Sequence, residues 1–168
     1  MKIELRSQHA SKQIGLPGGP LELSWKVFGA GSGESQLAYE IQSALDSEFS
    51  LSLKSDQAKS SASQYVKAPH VPTESREISY HRVRIETQSG WSNWSDILVH
   101  ENGLLDGTEL IGSAIGDDSK ATEAPPLLRT TFQVTKPVAK ARLYATAHGT
   151  YDVMINGAKA GDHILAPG

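Results

Sequence analysis

Glu77-Ile78-Ser79-Tyr80-His81-Arg82-Val83-Arg84-Ile85-Glu86 is followed by Gln88-Ser89-Gly90 and then by Trp91-Ser92-Asn93-Trp94-Ser95-Asp96-Ile97-Leu98-Val99. The first stretch alternates at period two. Ile78, Tyr80, Arg82 and Arg84 share one face, and Ser79, His81, Val83 and Ile85 share the other. Successive side chains of a strand point to opposite sides, so this pattern predicts a strand with two distinct environments. Gly90 turns it, and Trp91–Val99 is expected to run back as its partner.

Working outward, the same punctuation recurs. Gly15-Leu16-Pro17-Gly18-Gly19-Pro20 is a turn-rich entry that no helix could cross. Leu21–Val27 alternates apolar and polar residues, as does Leu37–Ser43, with Leu37, Tyr39 and Ile41 on one face. Short strands are expected near Phe49–Leu53 and Tyr65–Ala68, with a solvated Ser- and Lys-bearing loop between. Roughly seven short segments with turn signals between them are the pattern of an immunoglobulin-like sandwich. The chain has no Cys, which favours the fibronectin type III-like version and excludes a disulfide framework or a thiol nucleophile.

Downstream, Gly103, Gly107, Gly112 and Gly116 punctuate a connector that carries Asp117-Asp118 and ends in Pro125-Pro126. Strands are expected again at Leu127–Val134 and Ala139–Ala147, and a hairpin at Tyr151–Ala160 turned by Asn156-Gly157. The fold class is therefore all-β: a fibronectin type III-like sandwich followed by a partial β-sandwich or jelly roll. The expected division is an N-terminal extension at 1–17, the sandwich at 18–105, a linker at 106–124 and an opening β domain at 125–168. Three or four strands by themselves leave an open sheet edge, so that last domain is expected to be incomplete.

With 16 Lys+Arg against 19 Asp+Glu the net charge is −3, which is not the basic excess of a phosphate-neutralising nucleic-acid binder. No apolar run reaches a bilayer-spanning length, and Met1–His9 carries no signal-peptide core. The expectations are no nucleic acid, no membrane and a cytoplasmic location. The six histidines show no metal-ligand spacing, the carboxylates form no paired site, and no cofactor or metal is expected.

Leu127-Leu128-Arg129-Thr130-Thr131-Phe132, Ala141-Arg142-Leu143-Tyr144 with His148-Gly149-Thr150-Tyr151, Ile155-Asn156-Gly157 and Leu165-Ala166-Pro167-Gly168 form an ordered series. It resembles the N-terminal jelly-roll domain of bacterial α-L-rhamnosidases of glycoside hydrolase family 78. Upstream, Tyr80-His81-Arg82-Val83-Arg84, Trp94-Ser95 and Gly103-Leu104-Leu105 are similar to the fibronectin-like module that opens those enzymes, with His81 where the family usually has Trp. The resemblance implies that the chain is an accessory region of an enzyme removing terminal non-reducing α-L-rhamnose from rhamnosides. Such enzymes continue into a large (α/α)₆ barrel that carries the acid and base of an inverting glycosidase. No catalytic residue carries over, this chain alone is expected to be inactive, and its partner is the catalytic domain of the same parent chain.

Trp91-Ser92-Asn93-Trp94-Ser95 also resembles the Trp-Ser-x-Trp-Ser box of class I cytokine receptors, though a receptor would need a signal peptide and disulfides. Arg82 and Arg84, two apart on one strand face, can slot between Trp91 and Trp94 as a cation–π clamp. The competing role for those indoles is stacking on a sugar, with weak binding of rhamnosides. An alternative function is thus a free-standing carbohydrate- or protein-binding module.

Overall fold

The computed structural model describes residues 1–8, 13–116, 126–161 and 166–167. The chain divides into two units, Met1–Glu109 and Leu110–Gly168. In the first, the described residues form β1 (Lys2–Ser7), β2 (Gln13–Leu16), β3 (Glu22–Phe28), β4 (Ala38–Ala44), β5 (Lys54–Ala58), β6 (Val66–Lys67), β7 (Ile78–Thr87), β8 (Gly90–Trp91) and β9 (Leu98–Asn102). Two sheets result. One is ordered β1-β3-β6, the other β2-β9-β7-β4-β5 with β8 paired to the end of β7. Every pairing is antiparallel except that of β2 with β9.

The inward residues of both sheets meet in one core. Ile3 and Leu5 of β1, Leu23 and Trp25 of β3, Tyr39 and Ile41 of β4, and Val83 and Ile85 of β7 are buried together with Leu21 and Leu98. The Trp25 ring meets Tyr39 edge-on at 5.3 Å. Its indole N–H donates to Gln36 Oε1 at 2.9 Å, and the Gln36 amide donates to the carbonyls of Ser60 and Ala62 at 2.9 and 2.8 Å. A buried indole N–H needs such a partner, and Gln36 uses the requirement to tie two loops to the core.

Several expectations are corrected. Residues 2–7 are not an extension outside the sandwich: Ile3 and Leu5 fill its core, and β1 lies beside β3 in register from Lys2 opposite Phe28 to Ser7 opposite Leu23. No strand forms at Phe49–Leu53. The Asp46 carboxylate accepts the backbone N–H groups of Ser50 (2.9 Å) and Leu51 (2.7 Å) and closes a turn there, and the strand follows at Lys54. Leu37 is exposed, one residue before β4 begins. Residues 106–109 are not linker, because a short 3₁₀ turn at Gly107–Glu109 is held to the sandwich by Glu109, which accepts from the Ser75 hydroxyl and pairs with Arg76 at 3.1 Å. Asp117-Asp118, Pro125, Leu165 and Gly168 lie outside the described residues.

Gly103 marks a backbone crossing. A Cβ there would stand 2.9 Å from the Gly15 carbonyl, and the Gly103 N–H donates to the Leu16 carbonyl at 2.8 Å. Only glycine allows β2 to approach β9 this closely.

In the second unit, described strands are short: β10 (Thr150–Tyr151), β11 (Met154–Ile155), β12 (Ala158–Lys159) and β13 (Ala166–Pro167). The expected hairpin is present as β11–β12. Asn156 (φ 51°) and Gly157 (φ 81°) both take the left-handed conformation that a two-residue turn demands. The expected strands at 127–134 and 139–147 are absent, and no described residue of this unit is buried. Leu127 is 99% and Phe132 76% exposed. A strand persists when a neighbour takes its backbone groups and its apolar face, and here neither is provided.

Across the inward face of β7 the core turns polar. Fully buried His81 has Ser43 Oγ 2.8 Å from Nδ1 and Ser79 Oγ 2.7 Å from Nε2, with the His100 ring 6.4 Å away. Burial first, then the imidazoles of His100 and His70, push His81 from its ordinary 6.5 down to about 3. The unfolded chain therefore binds a proton below pH 6.5 that the folded chain refuses, and stability falls by about 1.4 kcal/mol per pH unit from that point toward pH 3. Urea unfolding at pH 7.5 and 5.5 should show this loss, about 1 kcal/mol, and His81→Gln should remove it. A parallel loss in both proteins would mean that His81 is not the responsible group.

Candidate functional site: an arginine–aromatic ladder

The outward residues of β7 meet those of β4 in register, Arg82 opposite Gln42 and Arg84 opposite Glu40. Arg82 donates to Gln42 Oε1 from Nε (2.9 Å) and from its terminal nitrogen (2.6 Å). Arg84 Nε donates to Glu40 Oε2 at 2.7 Å, and the ion pair closes to 2.5 Å. Burial would raise the Glu40 carboxyl, but the Ser55 hydroxyl at 2.8 Å and the Arg84 guanidinium outweigh it and hold that group below its usual range. Desolvation lowers Arg82 from its ordinary value, against the attraction of Glu40.

Both guanidiniums, fixed at one end by β4, lie against aromatic rings. Arg82 is 4.0 Å from the Phe49 ring centre and 4.4 Å from that of Trp94. Arg84 is 4.7 Å from Trp94 and 4.9 Å from Trp91. The order along the sheet is Phe49, Arg82, Trp94, Arg84, Trp91.

Two serines explain how the indoles arrive there. The Ser92 N–H donates to the Ile85 carbonyl (2.8 Å), while its hydroxyl accepts from the Ile85 N–H (3.1 Å). Ser95 repeats this with Val83 at 2.8 and 3.1 Å. Each serine thus supplies both halves of a strand pairing with its own backbone N–H and side chain. The ladder hydrogen bonds of β7 are satisfied although no continuous strand runs alongside, as the expected partner strand Trp91–Val99 would have. The residues between the serines are free to carry Trp94 over the sheet.

All four sequence-designated residues, Trp91, Trp94, Arg82 and Arg84, come together. Missed were Phe49, Gln42 and Glu40. Phe49 sits in the Asp46 turn at φ 57°, where a strand had been expected. The cross-strand pairs could have been found only by knowing the β4–β7 register. Also missed was the meeting of His81 with His100, since they lie on different strands. Among the described residues no three His, Cys, Asp or Glu side chains are grouped to hold a metal ion. The ladder contains no nucleophile with an adjacent base, and its chemistry is that of a clamp.

The model of the family described as "Rha78A-like, N-terminal immunoglobulin domain" matches residues 3–106. The chain belongs to that family. A second model, the α-L-rhamnosidase N-terminal domain, matches residues 136–168. An α-L-rhamnosidase of Alteromonas sp. (strain LOR) is 37% identical over 149 residues, covering 80% of this chain and 16% of that protein. One from Formosa agariphila is 33% identical over 125 residues, covering 68% and 14%. The crystal structure of the native α-L-rhamnosidase from Aspergillus terreus superimposes with a TM-score of 0.56 at 28% identity, over 64% of this chain and 12% of that one. The chain thus spans about a sixth of the length of these curated relatives, and its immunoglobulin module is the part in which the ladder lies.

Removing a guanidinium from the ladder should weaken the module measurably. Arg82→Ala loses two ring contacts and the Gln42 bonds, and should cost about 1–3 kcal/mol in urea unfolding. Arg82→Lys, which keeps the charge without the planar fork, should recover only part of that. A change within about 0.5 kcal/mol for Arg82→Ala would show the ladder to be incidental.

Proposed function

We propose that this chain is the N-terminal accessory β region of an α-L-rhamnosidase, and that hydrolysis of terminal α-L-rhamnose belongs to a catalytic domain elsewhere in the parent chain. The observation that carries this reading is the succession of two rhamnosidase-associated regions, 3–106 and 136–168, along one chain. The small share of each relative that it spans supports the same view. The exposed Leu127, Phe132 and Leu143 of the second unit are then the surface that the rest of the parent chain covers.

On this reading the Trp91–Trp94 pair serves as a clamp. Two cations over the Trp94 ring already occupy the π surface on which a sugar would stack.

An antibody raised to this chain should detect a native product several times 18.1 kDa. The 168-residue chain should release no rhamnose from an aryl rhamnoside, whereas the purified native product should. A native band at the size of this chain, or a long product without rhamnosidase activity, would refute the assignment.

A further inference from the structure

The outward face of the β1-β3-β6 sheet carries side chains used by neither the core nor the ladder. Glu4 and Arg6 of β1 and Ser24 and Lys26 of β3 project there, because their neighbours Ile3, Leu5, Leu23 and Trp25 point inward. Tyr65 joins them just before β6, its backbone N–H donating to Ser24 Oγ at 3.1 Å. Together with Gln64 and the edge of Trp25, these residues surround a depression of about 210 Å³, lined by Arg6, Ser24, Lys26 and Tyr65. That is smaller than the pocket of a drug-sized ligand and on the scale of a single ring.

Tyr65 is unusual in two respects. Its side chain is 68% exposed, and its φ of 55° is a costly conformation for a bulky residue. Hydrophobic burial does not account for that conformation. An exposed phenol ring beside hydroxyl, amide, guanidinium and ammonium groups matches a ligand with one apolar face and polar edges, as a sugar ring has.

Charge narrows the class. On this face Arg6, Lys26 and Lys67 outnumber Glu4 and Glu22, in a chain whose net charge is −3. Arg6 is oriented by Glu4, its Nε donating to Oε1 at 2.9 Å, and Lys26 stands opposite Glu4 in the strand register. Lys2, at the end of the same strand, is turned toward Asp96 at 4.0 Å. Phe28, 48% exposed, lies four residues along β3 from Ser24, about 13 Å away, so only an oligomer reaches from Tyr65 to it.

We infer that this face binds an acidic oligosaccharide, with Tyr65 stacking on a sugar ring and Lys26 and Arg6 receiving its carboxylate or sulfate. The binding is a property of the module and does not require the parent chain to be a rhamnosidase.

Calorimetric titration of the whole 168-residue chain with three probes tests it: an oligogalacturonate, a sulfated dextran oligomer and a neutral oligosaccharide of similar length. Binding to either acidic probe in preference to the neutral one is expected, and the tighter of the two identifies the acid group. Tyr65→Ala should weaken that binding about fivefold, and Lys26→Ala should weaken it by an amount that shrinks as salt is raised. Unchanged melting of both variants shows that the fold is intact. No binding to either acidic probe, equal binding to the neutral one, or affinity indifferent to Tyr65→Ala would each overturn the inference. An active parent enzyme whose N-terminal module bound none of the probes would sink this inference alone.

Discussion

The strand Ile78–Thr87 must satisfy two environments at once, and the rest of the first unit is arranged around that constraint. Its inward side chains complete a core shared by two sheets, while its outward side chains include two arginines beside a hydrophobic interior. Charged groups next to a core are tolerated only when their donors are engaged and their apolar surfaces covered. Gln42 and Glu40 do the first on one side, and Phe49, Trp94 and Trp91 do the second on the other. As a result β4 is buried on both of its faces, although it lies in a sheet with only one core beneath it.

The same constraint accounts for irregularity elsewhere. A continuous strand after the Gly90 turn would place its side chains alternately up and down, and could not bring two indoles over the same arginines. The Ser92 and Ser95 hydroxyls remove the need for that strand by accepting the N–H groups of Ile85 and Val83. Regular pairing with β7 resumes only at β9. On the opposite flank, the Asp46 carboxylate stabilises a turn in which Phe49 adopts a left-handed conformation and reaches Arg82. Local strain there is offset by a contact that only the assembled sheet provides.

The two units differ in kind. Up to Glu109 the chain closes a core with its own residues, including a buried polar layer in which Ser43, Ser79 and His81 satisfy one another. Beyond it, the described residues contain a well-formed Asn-Gly hairpin and no buried side chain. A two-residue turn needs only its own backbone preferences, whereas a sandwich needs a second sheet. That contrast fits a family in which this chain corresponds to about a sixth of its curated relatives.

Much was legible in the sequence because it depends on neighbours in the chain. Period-two alternation identified β3, β4 and β7 and the two faces of β7, Asn156-Gly157 identified the hairpin, and the Arg-x-Arg and Trp-Ser-x-Trp-Ser spacings identified who could stack on whom. Register between distant strands was not legible: that Glu40 and Gln42 face Arg84 and Arg82, that Phe49 ends the ladder, and that Ser43 lies against His81, 38 residues on. The place of β1 inside the sandwich was hidden too, since an edge strand before a glycine-rich turn reads like a tail until its partner is known. The sequence by itself therefore determined which segments extend, where they turn and which family they belong to, all set by local sterics and motif order. Only the tertiary structure decided which outward charges are paired and which aromatic rings are covered, because those depend on strand pairings between segments far apart in the chain.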